Sequence, residues 1–317
     1  MATATKKRKA PARKTPGPLK DTYQDMTDKV LALLDQGTVI WQQQWQGGRS
    51  DGGPRNLASK KLYRGINTFI LNYARYEGHY SSSWWGTYKQ ILERGGQVRK
   101  GEKSVQIIWW NLLRKQDEVD GKLVNKTIPL LRTYNVFNVE QADWPEGSRR
   151  PAEPEVTEVD AIDAAEKLIT NYLATGPSLR HGGEMAFYAP SQDRIQMPQR
   201  NDFVSADAYY STLYHEATHS TGHSKRLARD GIADGTFGRF GDPVYSKEEL
   251  VAEMGAAMLS GIAGIELNTI ESSAAYLAHW RDVLKGDNKL IIQAAAQAQK
   301  AADLILGTTF DNEDDES

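Results

Sequence analysis

The stretch SADAYYSTLYHEATHSTGH, Ser205–His223, places three histidines within nine residues of a chain that has six in all. Ser205 is a favoured helix N-cap and Asp207 suits the positive end of a helix dipole, so a helix is expected to start there and to stop near Gly222. On that helix His215 and His219 stand one turn apart with both imidazoles on one face. This is the HExxH spacing, in which two ring nitrogens meet one divalent ion. The intervening Glu216 then lies beside the water that such an ion activates, as a general base would.

A site of this kind needs a third protein ligand and an open position. The chain has no cysteine, so the ligand must be histidine or carboxylate. His223 comes too early for the third histidine of a metzincin pattern, and is expected beside the ion or as an alternative ligand. A better source is SKEELVAEMGAAML, residues 246–259. There Glu249 and Glu253 resemble the ExxxD pattern of gluzincins, whose first carboxylate binds metal and whose second orients a ligand histidine. Glutamate replaces aspartate at the second position. Glu249 is therefore the favoured third ligand, with Glu253 as the alternative. Zn²⁺ suits this donor set, and Mn²⁺ occupies similar nitrogen and oxygen sites.

Charge divides the 317 residues into two parts. Lys and Arg outnumber Asp and Glu 24 to 12 in residues 1–140, and are outnumbered 15 to 29 thereafter. Seven of the eight tryptophans also precede residue 145. Such a split fits two modules with different partners, the basic one suited to a polyanion. The expected organisation is a basic disordered arm at 1–20, a first domain at 21–144, a Pro-rich charged linker at 145–156, a second domain at 157–306 and an acidic tail at 307–317. No run is long and apolar enough for a membrane span, and no secretory signal pattern opens the chain. With zero cysteines besides, a cytoplasmic protein is expected.

The first domain reads as α+β. Helices are expected near 21–36, 66–76 and 83–93, followed by two strand-like runs, SVQIIWWNLLRK (104–115) and LRTYNVFNV (131–139). Aromatics and cations are interleaved through it, as in proteins that stack bases and track phosphates of single-stranded nucleic acid. The candidate contacts are Trp41, Trp45, Tyr63, Arg64, Asn67, Trp84, Trp85, Tyr88, Lys89, Gln90, Arg99, Lys100 and Lys103. Trp109 and Trp110, inside an apolar strand, are expected to be at least half core.

The second domain is expected to carry a helix at 161–175, a hairpin around PSQD (190–193), the histidine helix, and further helices at 247–263, 272–284 and 289–306. The blocks YRGIN, WWGTYKQILERGGQVRKGEKS, MAFYAPSQDRIQMP, YYSTLYHEATHSTGHSKRL and EELVAE together resemble the ArdC-type antirestriction proteins of conjugative plasmids. The resemblance runs from about Tyr23 to Leu306. It implies a domain that binds single-stranded DNA followed by a zincin-like metallopeptidase domain, protecting DNA that enters a recipient cell. Two other functions fit the same residues: a DNA-dependent protease acting on DNA-bound proteins, and a non-enzymatic DNA coat with a structural metal site.

Overall fold

Asp21 accepts the backbone N–H groups of Tyr23 and Gln24 and so starts α1 (Thr22–Asp35), whose Met26, Val30 and Leu34 recur every fourth residue and are buried. The computed structural model describes residues 21–42, 53–119, 122–154, 161–236, 243–265 and 273–308, with backbone alone for 110–130 within that range and for 243. The basic arm, Trp45, the side chain of Trp110, the end of the expected linker and the tail beyond 308 lie outside the described residues.

The front part is built on a sheet of strand order β1-β2-β5-β4. Its strands are β1 (Arg55–Asn56), β2 (Trp84–Gly86), β4 (Val105–Val119) and β5 (Lys122–Asn138), and a short ribbon adds β3 (Gln97–Val98) and β6 (Ala142–Asp143). The two strand-like runs form one long antiparallel hairpin, from Val105 opposite Val136 to Val119 opposite Lys122. Helix α2 (Ile66–Glu77) packs against β4. The helix expected at 83–93 is a correction: only α3 (Tyr88–Glu93) is helical, started by Thr87, while Trp84–Gly86 pairs with β1 and β5. Sheet pairing wins there because Gly86 is a poor helix former, and a Cβ on it would lie 2.9 Å from Leu57 Cδ2.

The back part opens with α4 (Ala161–Leu173) and a three-stranded sheet of order β7-β9-β8, made of β7 (Ser178–His181), β8 (Phe187–Ala189) and β9 (Arg194–Met197). The β8–β9 pair is the expected hairpin; β7, parallel to β9, was not expected. Then follow α5 (Ala206–Thr221), α6 (Pro243–Ala263), α7 (Ala274–Gly286) and α8 (Leu290–Leu306). Proline is at home in a first helical position, which carries α6 a turn further upstream than expected. Helices α5 and α6 approach closely because residue 255 is glycine: a Cβ there would sit 2.5 Å from Thr218 Cγ2.

One apolar cluster runs through α4 to α8 and takes in α1 and Trp41. The Trp41 ring stands edge-on to Trp280 with centroids 5.9 Å apart. Two smaller clusters, around Trp84 with Ile91 and around Trp85 with Leu71, fill the front sheet. The expected α+β class is the one observed. Among the described residues, no helix is long and apolar enough to cross a membrane.

Candidate metal centre

Ser205 Oγ accepts the Ala208 N–H at 3.1 Å and sets the start of α5. Twelve of its sixteen residues are buried, so its orientation is held by packing on all sides. His215 and His219 project from one face, with their Nε2 atoms 3.1 Å apart. Glu249, from α6, brings one carboxylate oxygen to 3.5 Å from His215 Nε2 and the other to 3.5 Å from His219 Nε2. One ligand atom from each of the three residues lies within 4.8 Å of the others. Two imidazoles and a carboxylate, without sulfur, are a donor set that suits Zn²⁺ or Mn²⁺.

The charges fit a cation. Burial works against a charged His219 ring, yet Glu248 and Glu249 outweigh it and push the His219 pKa up to about 10. Burial works against the Glu249 charge too, and the two histidines overcome it, holding that carboxyl well below the usual range. A divalent ion would take over the positive charge that these carboxylates already call for. Glu216, 8% exposed, follows His215 on the same helix.

Sequence reasoning missed Glu248. Its Oε1 lies 3.1 Å from His219 Nδ1, so that Nδ1–H donates to it and Nε2 is left for an ion. Arg229 backs it: Nε donates to Glu248 Oε2 at 2.9 Å, Nη2 to Oε1 at 2.5 Å and to the Thr218 carbonyl at 2.8 Å, and Nη1 to Thr221 Oγ1 at 2.6 Å. Burial opposes the Glu248 charge, but Arg229 and His219 prevail and lower its pKa. Ala228 reaches this position with φ +47°, a left-handed conformation that turns the chain back under α5. Tyr245, one turn before Glu249, was also missed. Its phenol donates to Glu249, and burial with the charges of Glu249 and Glu216 pushes it up to about 12.

Glu253 and His223 do not join the three ligands. Glu253 accepts the Trp41 Nε1–H at 2.8 Å and the Tyr276 hydroxyl at 2.5 Å, and His223 Nδ1 accepts the Lys225 N–H at 3.2 Å. The histidine-orienting role that the ExxxD likeness gives to the acid one turn on belongs in this geometry to the residue before Glu249.

The aromatics proposed to stack on bases divide in two. Trp41, Trp84 and Trp85 are core residues, 1%, 9% and 0% exposed, and show no face to solvent. That corrects the expectation for all three. Tyr63 is half-buried and accepts a bond from Asn56 Nδ2 at 2.9 Å. Asn67 holds the Ile108 backbone through both its amide groups at 2.7 and 2.9 Å, Gln90 caps α3 through the Thr87 N–H, and Arg64 is ion-paired to Asp303 of α8. Tyr88, by contrast, is 47% exposed. With Arg99 and Lys100 it lines a concavity of about 540 Å³, to which Gln97 and Phe137 also contribute. Lys89 and Lys103 are exposed nearby in sequence. Trp109 is half-buried and meets the exposed Tyr134 edge-on at 6.2 Å.

Comparison with known proteins places both parts. Residues 20–137 match the family model for the N-terminal domain of anti-restriction factor ArdC, and residues 163–297 match that for a zincin-like metallopeptidase. An uncharacterized protein of Sinorhizobium fredii, y4eC, is 33% identical over 297 residues, covering 92% of this chain and 93% of its own length. DNA primase TraC of Escherichia coli is 34% identical over 306 residues, covering 91% of this chain, which spans only 20% of the primase. Crystal structures of the antirestriction ArdC protein from plasmid R388, metal-free and Mn(II)-bound, match with TM-scores of 0.69 and 39% identity. They cover 90% and 91% of this chain and 97% and 98% of the solved chains. The chain thus belongs to the ArdC family of antirestriction proteins, with a zincin-like metallopeptidase domain following its ArdC N-terminal domain.

Proposed function

We propose that this protein binds single-stranded DNA without sequence preference through its front part, and hydrolyses peptide bonds at a metal centre in its back part. In this reading it protects DNA that enters the cell by conjugation. The observation that carries the enzymatic half is the meeting of His215, His219 and Glu249 with Glu216 on the same helix. His215, His219 and Glu249 would hold Zn²⁺ or Mn²⁺, and the Mn(II)-bound form of the R388 protein supports the second choice. When bound, such an ion supplies Lewis-acid activation of a water and a substrate carbonyl. Glu216 accepts the proton of the attacking water and returns it to the leaving amine. Glu248 and Arg229 keep the His219 ring oriented, and Tyr245 keeps Glu249 turned to the histidines.

For DNA, the reading rests on the concavity beside Tyr88. Its two acids are engaged by Arg99, Glu102 at 2.9 Å and Asp143 at 3.6 Å, while Lys100 is exposed. The exposed Tyr88 ring offers one stacking platform, worth roughly 1–3 kcal/mol per base.

The test is a Glu216→Gln variant of the full chain. It should keep its metal and its affinity for an oligo(dT) strand, and lose cleavage of DNA-bound protein together with protection of transferred plasmid. Protection that survives in this variant would favour protection by a non-enzymatic coat, and cleavage that survives in it would overturn the peptidase reading.

A further inference from the structure

We propose that metal occupancy and single-stranded DNA binding are thermodynamically linked in this protein through Glu253, which ties the front part of the chain to the metal helix. The linkage rests on the function proposed above and adds to it a regulation of the metal centre.

Glu249 and Glu253 stand one turn apart on α6, so they share a side of the helix. The first faces the two histidines. The second accepts the indole N–H of Trp41 and the hydroxyl of Tyr276, donors that lie 212 and 23 residues away in sequence. Gln42 Nε2 donates to the same Tyr276 hydroxyl at 2.9 Å, so two consecutive front-part residues are fastened to this point. The joint cannot rearrange without disturbing the core, because Trp41 is 1% exposed and packed on Trp280.

The direction of the effect comes from charge. Burial disfavours the ionised form of Glu253 and raises its pKa; the bonds from Tyr276 and Trp41, and then the His215 charge, act in the opposite sense, while the Glu249 charge adds to the effect of burial. A divalent ion held by His215, His219 and Glu249 displaces the proton that His219 carries and still leaves added positive charge on that side of α6. It favours the carboxylate form, which accepts charge-assisted bonds roughly twice as strong as neutral ones. A front part seated more firmly at Trp41 has less freedom to lose when a DNA strand binds, so the ion and the strand help each other. Linkage requires the factor to be the same in both directions.

The experiment uses the full chain, a fluorescein-labelled dT20 strand and one equivalent of Zn²⁺ at constant ionic strength. Strand affinity by anisotropy should rise about five-fold or more on Zn²⁺ loading, and Zn²⁺ affinity by competition should rise by the same factor with the strand bound. Glu253→Gln and Tyr276→Phe should each reduce the factor towards one, while Zn²⁺ and strand still bind the variants separately. Trp41→Phe tests the same joint, and Tyr276→Phe stands in for it should the core change prevent folding. A factor of one in the unaltered chain, or a full factor in both Glu253→Gln and Tyr276→Phe, overturns the linkage alone. A strand that does not bind at all overturns the DNA half of the proposed function, and the linkage with it.

Discussion

His219 Nδ1 lies 3.1 Å from Glu248 Oε1, and the opposite nitrogen of the same ring lies 3.5 Å from Glu249 Oε1, so two adjacent glutamates of α6 grip one imidazole from both sides. Consecutive helical residues point about 100° apart, which lets one serve the ion and the other the ring. The pair explains why α6 begins its buried stretch with two acids in a row.

The first prediction follows from that grip. Glu248→Gln weakens Zn²⁺ affinity by about 10–100-fold, since carboxylates behind a ligand histidine contribute that much. It also leaves the Arg229 charge buried and uncompensated, which destabilises the metal-free protein by roughly 3–5 kcal/mol. The double variant Glu248→Gln/Arg229→Met removes both charges. Its melting temperature without metal should recover while its Zn²⁺ affinity stays low, and recovery of both would reduce Glu248 to a structural ion-pair partner.

A second prediction concerns the turn that delivers Arg229. Ala228 sits at φ +47°, where a Cβ costs roughly 1–2 kcal/mol. Ala228→Gly removes that strain and adds back about 0.5–1 kcal/mol of unfolded-state entropy. The net expectation is a stabilisation of up to about 1 kcal/mol in urea unfolding, with Zn²⁺ affinity unchanged. Destabilisation would mean that the Ala228 methyl makes contacts worth more than the strain.

How much of this was readable beforehand depends on whether the information is local. His215 and His219 share a face because any helix puts i and i+4 together, and Ser205 and Gly222 mark that helix at both ends. Glu248 was not readable, because which of two adjacent acids meets the ring depends on how α6 is rotated against α5. That rotation is fixed where Gly255 meets Thr218, and no periodicity reports it. The tryptophans were ambiguous for a similar reason. An indole suits a core and a stacking platform equally, and only the pairing of Trp84–Gly86 between β1 and β5 decides for the core.

A third prediction separates core aromatics from surface cations in DNA binding. Trp85 is fully buried, so Trp85→Ala destabilises the protein by about 3–5 kcal/mol and lowers strand affinity only as the fold is lost. Lys100→Ala leaves the melting temperature unchanged. It should weaken dT20 binding and reduce the slope of log affinity against log salt by about 0.7, the share of one phosphate contact on a single strand. A slope that does not move would remove Lys100 from the binding surface.

The last prediction uses the turn on the far side of the metal helix. Asp193, at φ +45° between β8 and β9, is ion-paired to Arg226 and accepts the Tyr188 hydroxyl at 2.8 Å. Arg226 in turn donates to the Ser220 carbonyl near the end of α5 at 2.8 Å. Burial opposes the Asp193 charge, but the bonds from Arg226 and Tyr188 outweigh it and hold its pKa below the ordinary 3.8. A carboxyl whose folded pKa is depressed adds stability at pH values above its unfolded pKa, and that increment is lost as pH falls through the folded value. Asp193→Asn keeps a residue that tolerates the left-handed turn and removes only the charge. In urea unfolding the variant should therefore be less stable than the parent at pH 7. The gap between the two should narrow once pH drops below 3.8 and close as Asp193 itself becomes protonated. A gap of equal size at pH 7 and well below pH 3.8 would show that the asparagine disturbs the turn itself and that the charge contributes nothing.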